Sequence, residues 1–179
     1  DIAKDMLIHY RDNSYKLGFK AQLVCVSRHA CVKYYDALNL HMPEVFPENP
    51  IEIKVIYSAD NNDEPYIKDH STSKSEQDII LSRFKREIEK DRLCIIIVKD
   101  MLLTGFDAKI EDVMYLDRPL KEHTLLQAIA RVNRTYDKSY KVIEDGKEIE
   151  KSRTKAYGRV VDYFGITRHL EEALAIFDN

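Results

Sequence analysis

Gln127, Arg131 and Arg134 sit at intervals of four and three in Gln127-Ala-Ile-Ala-Arg131-Val-Asn-Arg134. At about 100° per residue, a helix would bring the three within roughly 60° of one another. Leu125, Ala128, Ile129 and Val132 fall on the other side, as an apolar stripe able to dock on a core. Two forked, permanently charged guanidiniums projecting from an anchored helix suit a polyphosphate; a solvated charged face is the other reading of the same spacing. Upstream, Thr104-Gly105-Phe106-Asp107 follows soon after the apolar run Leu93–Val98. Thr104 could donate to a phosphate, Gly105 would let the backbone approach a ligand, and Asp107 could accept from sugar hydroxyls. In open α/β sheets ligands bind just beyond the carboxyl ends of strands, which is where this tetrapeptide is expected. By itself a Thr-Gly-x-Asp is simply a turn.

These groups need a scaffold, and the chain alternates strand and helix patterns. Leu93–Val98 is rich in branched residues and too unbroken for a half-exposed strand, so it reads as an interior strand of a parallel sheet. Residues 1–10 read as a helix with Ile2, Met6 and Tyr10 inward, and Ala21–Val26 as a short buried strand after Gly18. Ser27 then stands at the N-cap of a helix whose core face is Cys31, Tyr34, Tyr35 and Leu38. A proline-containing connection over 42–50 leads to a strand at Ile51–Tyr57, and the polar stretch 59–75 reads as a mobile surface loop. A helix is expected over Ser75–Lys90 with Ile80, Phe84 and Ile88 on one face, then a strand at Val113–Leu116 and the arginine helix. The alternation predicts one α/β domain over 1–179, a mainly parallel sheet with helices on both faces. Past Tyr136, Asp145-Gly146 between short apolar pairs signals a charged hairpin over about 137–155, expected to project from the body. Arg159–Phe164 reads as a last strand, and Leu170, Ala173, Leu174 and Phe177 as a closing amphipathic helix.

Composition narrows the function classes. The chain has 179 residues, enough for one α/β core and short for two. With 28 basic and 31 acidic residues the net charge is −3, so no bulk cationic field draws nucleic acid and any DNA contact must be local. Its apolar runs are too short to span a bilayer and no signal peptide is present, so a cytoplasmic protein without membrane contact is expected. Cys25, Cys31 and Cys94 read as buried reduced thiols, and the six histidines lack metal-ligand spacing, so no metal site is assigned.

Thr-Gly-Phe-Asp followed by Gln-x-x-x-Arg-x-x-Arg resembles motifs V and VI of superfamily 2 helicases and translocases, which lie in the second of two RecA-like motor lobes. The longer string Met101–Ala108, then Tyr115-Leu-Asp-Arg-Pro119, Gln127–Tyr136 and Gly158–Gly165, resembles the motor (R) subunit of type I restriction enzymes. The resemblance covers most of the chain and is strongest from Leu93 to Arg134. It departs from the general motif VI pattern, Gln-Arg-x-Gly-Arg-x-Gly-Arg, by Ala128 in place of the first arginine and Ala130 and Asn133 in place of the glycines. Those changes put close helix packing near the site in question, while the charge chemistry stays.

The resemblance implies a division of labour. No Gly-x-x-x-x-Gly-Lys-Ser/Thr phosphate loop and no Asp-Glu-x-x box occur, so the chain reads as the second lobe alone, with ATP and Mg2+ held mainly by a first RecA-like lobe. Arg131 and Arg134 would then act as arginine fingers, Gln127 would read the phosphate or attacking water, and Asp107 and Gly105 would contact the ribose side. Thr104 would couple the loop to the DNA backbone. Ser27 and Arg28 resemble the motif IV region that meets a DNA phosphate; an N-cap serine beside a surface arginine is the plain alternative. Lys99, Asp100, Arg118 and Lys121 read as surface charges, or as DNA or interdomain contacts. The implied whole is an ATP-dependent double-stranded DNA translocase with a nuclease domain, joined to modification and specificity subunits; this piece alone is expected to be inactive. Another superfamily 2 helicase and a non-catalytic RecA-like interaction module are the competing readings.

Overall fold

The computed structural model describes residues 1–99 and 106–164. Thr104, Gly105, Asp100 and the expected closing helix therefore lie outside the described residues.

The chain opens on α1 (Ile2–Asn13), where the Asp1 side chain accepts from the Ala3 amide and Ala3, Met6, Leu7 and Tyr10 turn inward. That spacing is one helical face. Ile2, expected inside, is 47% exposed because its place in the first turn lies off that face. A short 3-10 turn at Tyr15–Leu17 leads to β1 (Lys20–Cys25), buried along its whole length. α2 (Arg28–Val45) starts at Ser27, whose hydroxyl accepts from the Ala30 amide. The helix continues through Pro43, where a connection was expected; Leu38, Met42 and Val45 are all buried, and their packing outweighs the proline. β2 (Glu52–Ile56) follows.

The polar stretch 59–75 contains α3 (Pro65–Asp69), anchored by buried Ile67 and by the Tyr57 hydroxyl, which donates to the Ile67 carbonyl at 2.6 Å. α4 (Lys74–Phe84) begins with a full capping box between Ser73 and Glu76. It stops six residues short of the expected end, Lys90. Ile80 and Phe84 pack on one face of the sheet, whereas Ile88 packs against the other, so the residues after α4 turn around the sheet edge instead of prolonging the helix.

β3 (Leu93–Val98) and β4 (Glu111–Asp117) join β1 and β2 in the main sheet. α5 (Glu122–Val132) comes next, then the hairpin of β5 (Tyr136–Glu144) and β6 (Lys147–Lys155), and β7 (Arg159–Asp162). The described residues form a five-stranded sheet in the order β2-β3-β1-β4-β7, every neighbouring pair parallel. Alternate strand residues feed two cores. Ala21, Leu23, Ile95, Ile97, Val113 and Tyr115 face α1 and α2; Val24, Ile96, Val98, Met114 and Leu116 face α4 and α5. Burial on both faces explains the unbroken apolar runs. The hairpin forms its own antiparallel ribbon around Asp145 and Gly146, whose φ angles of 50° and 74° suit a tight turn of this hand.

Candidate functional site: the arginine segment and the edge it occupies

α5 presents the expected two faces. Leu125, Ala128 and Val132 are buried, Ile129 packs beside them, and Gln127 and Ala130 point outward. The helix ends one residue beyond Arg131, with the Asn133 amide donating to the Ile129 carbonyl at 3.0 Å. Arg134 thus lies past the helix and not on its surface, as the bare periodicity implied. The chain nonetheless gathers Gln127, Ala130, Arg131 and Arg134 around one shallow depression of about 300 Å³.

Both guanidiniums turn toward the end of the Thr-Gly-Phe-Asp segment. Arg131 donates to the Phe106 carbonyl. Arg134 Nη1 donates to Asp107 Oδ2 at 3.0 Å, with side-chain exposures of 46% and 40% for the two partners. Phe106 itself is buried against Phe84, which fixes the backbone carbonyl that Arg131 meets.

This cluster stands at the amino edge of the sheet. Asp107 and Ala108 immediately precede β4, with Ala108 already in the turn that starts that strand, where the Glu111 amide donates to the Ala108 carbonyl. α5 likewise starts near the carboxyl end of β4 and runs back. Lys155 Nζ donates both to the carbonyl of Val132, the last residue of α5, and to that of Glu111, the first of β4. The expectation that Asp107 would lie just beyond a carboxyl strand end is therefore corrected: Phe106 and Asp107 lie at the amino end of β4, the strand they precede. Ser27, Arg28, Lys99 and Arg118, which directly follow β1, β3 and β4, occupy the opposite edge. A six-residue strand separates the two edges by roughly 20 Å.

At the carboxyl edge, Ser27 acts as the N-cap, its hydroxyl 3.0 Å from the Ala30 amide. Arg28 donates to Asp63 at 3.0 and 3.1 Å and lies 3.7 Å from Asp60. Arg118 donates to the Lys99 carbonyl at 3.0 Å. The structure does not bring Ser27 and Arg28 together with the arginine segment.

Sequence reasoning missed the buried charges beneath that segment. Glu111 is 2% exposed, and burial pushes its carboxyl up to about 8, reinforced by Asp112 and opposed by Lys155 and Arg131. Burial lowers Lys155 to about 8, opposed by Asp112, Glu111 and Asp107. Charged residues at the mouths of otherwise apolar strands, Lys20 and Glu111 among them, were the available signal. Among the described residues no His, Cys, Asp or Glu group could hold a metal ion, the cysteines are buried and free, and no helix is long and apolar enough to cross a membrane.

The departures from the general motif follow from this packing. Ala128 is wholly buried, so an arginine there would have no water to reach. Asn133 Oδ1 accepts from the Gly158 amide at 3.2 Å, a bond a glycine could not make.

Comparison with known proteins agrees with the motifs. Residues 71–146 match the family described as type I restriction enzyme subunit R domain 3. The chain is 36% identical over 181 residues to the type I restriction enzyme HindI endonuclease subunit of Haemophilus influenzae, covering all of this chain and 16% of that protein. It is 32% identical over 186 residues to the MjaVIIP type I restriction enzyme endonuclease subunit of Methanocaldococcus jannaschii, covering 99% of this chain and again 16% of the relative. A fragment structure of an HsdR subunit of a type I restriction enzyme from Vibrio vulnificus YJ016 superposes with a TM-score of 0.56 at 15% identity, over 93% of this chain and 28% of that one. The C-terminal part of the Fun30 ATPase domain shares the fold at a TM-score of 0.50 and 13% identity, over 97% and 44% of the two chains. The chain thus spans about one-sixth of the curated relatives it matches. With a parallel sheet of the same fold, the motif pair in place and the relatives aligned along essentially all of it, this chain belongs to the R (endonuclease) subunit family of type I restriction enzymes.

Proposed function

We propose that this chain is the second RecA-like lobe of a restriction-enzyme motor. In this reading Arg131 and Arg134 are its contribution to the ATP hydrolysis that drives double-stranded DNA translocation before cleavage. The observation that carries the reading is the convergence of Gln127, Arg131 and Arg134 on one open depression, with Arg131 held on the Phe106 carbonyl and Arg134 on the Asp107 carboxylate. A surface of about 300 Å³ with two guanidiniums cannot enclose a nucleotide but suits the phosphate end of one held by a facing lobe. The same donor set is unsuited to magnesium, which wants oxygen ligands, so Mg2+ belongs with the first lobe.

In this reading Arg131, braced by the Phe106 carbonyl, presents its remaining N–H groups to phosphate oxygens. Arg134 exchanges Asp107 for phosphate. Exposed ion pairs contribute only about 0–1 kcal/mol, so that exchange is cheap. Gln127 offers an amide to the phosphate or the attacking water, and Asp107, once released, is free for a ribose hydroxyl. Ser27, Arg28 and Thr104 are assigned to DNA phosphates, and the modification and specificity subunits to the assembly, in the cytoplasm.

The test is steady-state ATP hydrolysis by the full-length subunit in its complex with DNA. Arg131→Ala and Arg134→Ala should each lower DNA-stimulated kcat by about 10³-fold with folding intact. Unchanged turnover would favour a non-catalytic interaction module. The 179-residue chain alone should hydrolyse no ATP and bind DNA weakly and in a salt-sensitive way.

A further inference from the structure

The hairpin is fastened to the domain at its root and free at its tip. At the tip, Ile143 is 78% exposed, and Glu144, Asp145, Lys147 and Glu148 around the turn are charged. At the root, Arg153 and Lys155 are 7% and 4% exposed, an unusual depth for such residues. Arg153 donates to the Leu17 carbonyl at 3.2 Å and to the Tyr140 hydroxyl at 2.6 Å, and its guanidinium lies 4.6 Å from the Tyr140 ring centre. Tyr136, paired with Lys155 across the ribbon, packs edge-on against Phe19. Lys155 reaches past the sheet edge to the carbonyls of Val132 and Glu111, at 3.1 and 2.6 Å.

The bond to Val132 has a particular consequence. A helix leaves its last carbonyls without internal partners, and a lysine there both satisfies one and opposes the negative end of the dipole. Val132 lies between Arg131 and Arg134. Three residues beyond Lys155, the chain passes so close to the same point that a Cβ on Gly158 would stand 2.0 Å from the Val132 carbonyl oxygen. The Gly158 amide bonds Asn133. The strand leaving the hairpin therefore clasps the arginine segment at two successive residues.

We infer that Lys155, with Gly158 as the second jaw, is a positioning residue for the Arg131–Arg134 segment, so that the hairpin is a control element on ATP turnover. This rests on the function proposed above and adds a residue and an element to it. A contact that tilts the exposed tip moves β6, and β6 ends on the helix terminus that sets where both guanidiniums point. Displacement of catalytic groups by about 1 Å can cost on the order of 10²-fold in rate.

The test uses the full-length subunit in its DNA-bound complex, with ATP hydrolysis measured well below the melting temperature and active sites counted by nucleotide binding. Lys155→Met removes the donor while keeping most of the side chain's bulk, and should lower kcat per site by about 10- to 100-fold with KM for ATP within about twofold. Lys155→Arg, which restores a donor, should recover most of that loss. Gly158→Ala should produce the same kcat defect, and the double variant should be little worse than either single one, because both act on one segment. If Lys155→Met lowers only the melting temperature, or if Lys155→Arg is as slow as Lys155→Met, the inference is overturned. Should Lys155→Met fail to assemble, normal kcat in Gly158→Ala would overturn it equally. Arg131→Ala and Arg134→Ala serve as the separate control: if they turn over normally, the motor assignment itself has failed; if they are dead while Lys155→Met is normal, only the clasp has.

Discussion

Asp107 and Arg134 show how a site can be preset without being locked. Their bond is well formed at 3.0 Å, yet both side chains remain open to water, where the pair contributes little and yields readily to a multiply charged ligand. Asp107→Asn should therefore leave the melting temperature almost unchanged and raise KM for ATP several-fold more than it lowers kcat, in the same steady-state assay; a kcat loss as deep as that of Arg134→Ala would contradict the ribose-side role. Arg134→Lys should be nearly as slow as the alanine variant, because a point charge cannot reproduce a planar fork. Ser27 permits a cleaner separation at the other edge. Its hydroxyl caps α2, and Asp is an equally good cap, so Ser27→Asp should preserve stability where Ser27→Ala loses about 1 kcal/mol in urea unfolding. If a DNA phosphate also uses this site, the added negative charge should weaken DNA binding, measured by titration at fixed salt; unchanged affinity would leave Ser27 as a cap alone.

Elements were legible wherever one residue type had one physical task. Leu93–Val98 is a strand because every side chain is buried on one face or the other, and the Asp145-Gly146 turn supplies two positive φ angles. α5 announced both its faces, since its apolar stripe reaches the core at Leu125, Ala128 and Val132. The ends of elements were not legible, because tertiary contacts set them. Ile88 continues the spacing of Ile80 and Phe84 but belongs to the opposite core, and Pro43 sits in a helix whose buried neighbours hold it there. In the site, the gathering of Gln127, Arg131 and Arg134 was readable, whereas the sheet edge they occupy was not: strand direction and the length of a connection fix that edge, and no local pattern carries either. Nor did alternation show that Arg153 and Lys155 would be buried at the hairpin root. Packing also accounts for the missing motif arginine at position 128. Ala128→Arg should destabilise the fold by about 3 kcal/mol or more in urea unfolding, because the new charge would be buried without a partner; near-neutral stability would show that α5 can roll to expose it.

At the scale of the whole molecule, the buried carboxyl of Glu111 ties stability to pH in a direction opposite to that of the ion-paired carboxylates. Glu52, Glu87 and Asp91 are held below the ordinary carboxylate range by Arg83 and Lys138, so they favour the folded state once pH exceeds about 4. Glu111 works the other way. Burial is the largest cause of its rise to about 8, Asp112 adds to it, and the Lys155 and Arg131 charges only partly oppose it. Between the unfolded value, about 4.5, and about 8 the folded chain holds a proton that the unfolded chain releases, so raising the pH through this window removes stability. Lys20 and Lys155 are each lowered to about 8, chiefly by burial, so from about 8 to about 10.5 the unfolded state binds more protons and their contribution rises with pH. Glu111→Gln isolates the first window. Its unfolding free energy from urea titration, relative to the wild type, should climb steadily from pH 5 to pH 8, with a slope of at most about 1.4 kcal/mol per pH unit, and should level off beyond. Parallel curves for the two proteins across that range would mean that Glu111 is ionised in place, paired with Lys155, and that the amino edge beneath the arginines carries a salt bridge instead of a proton.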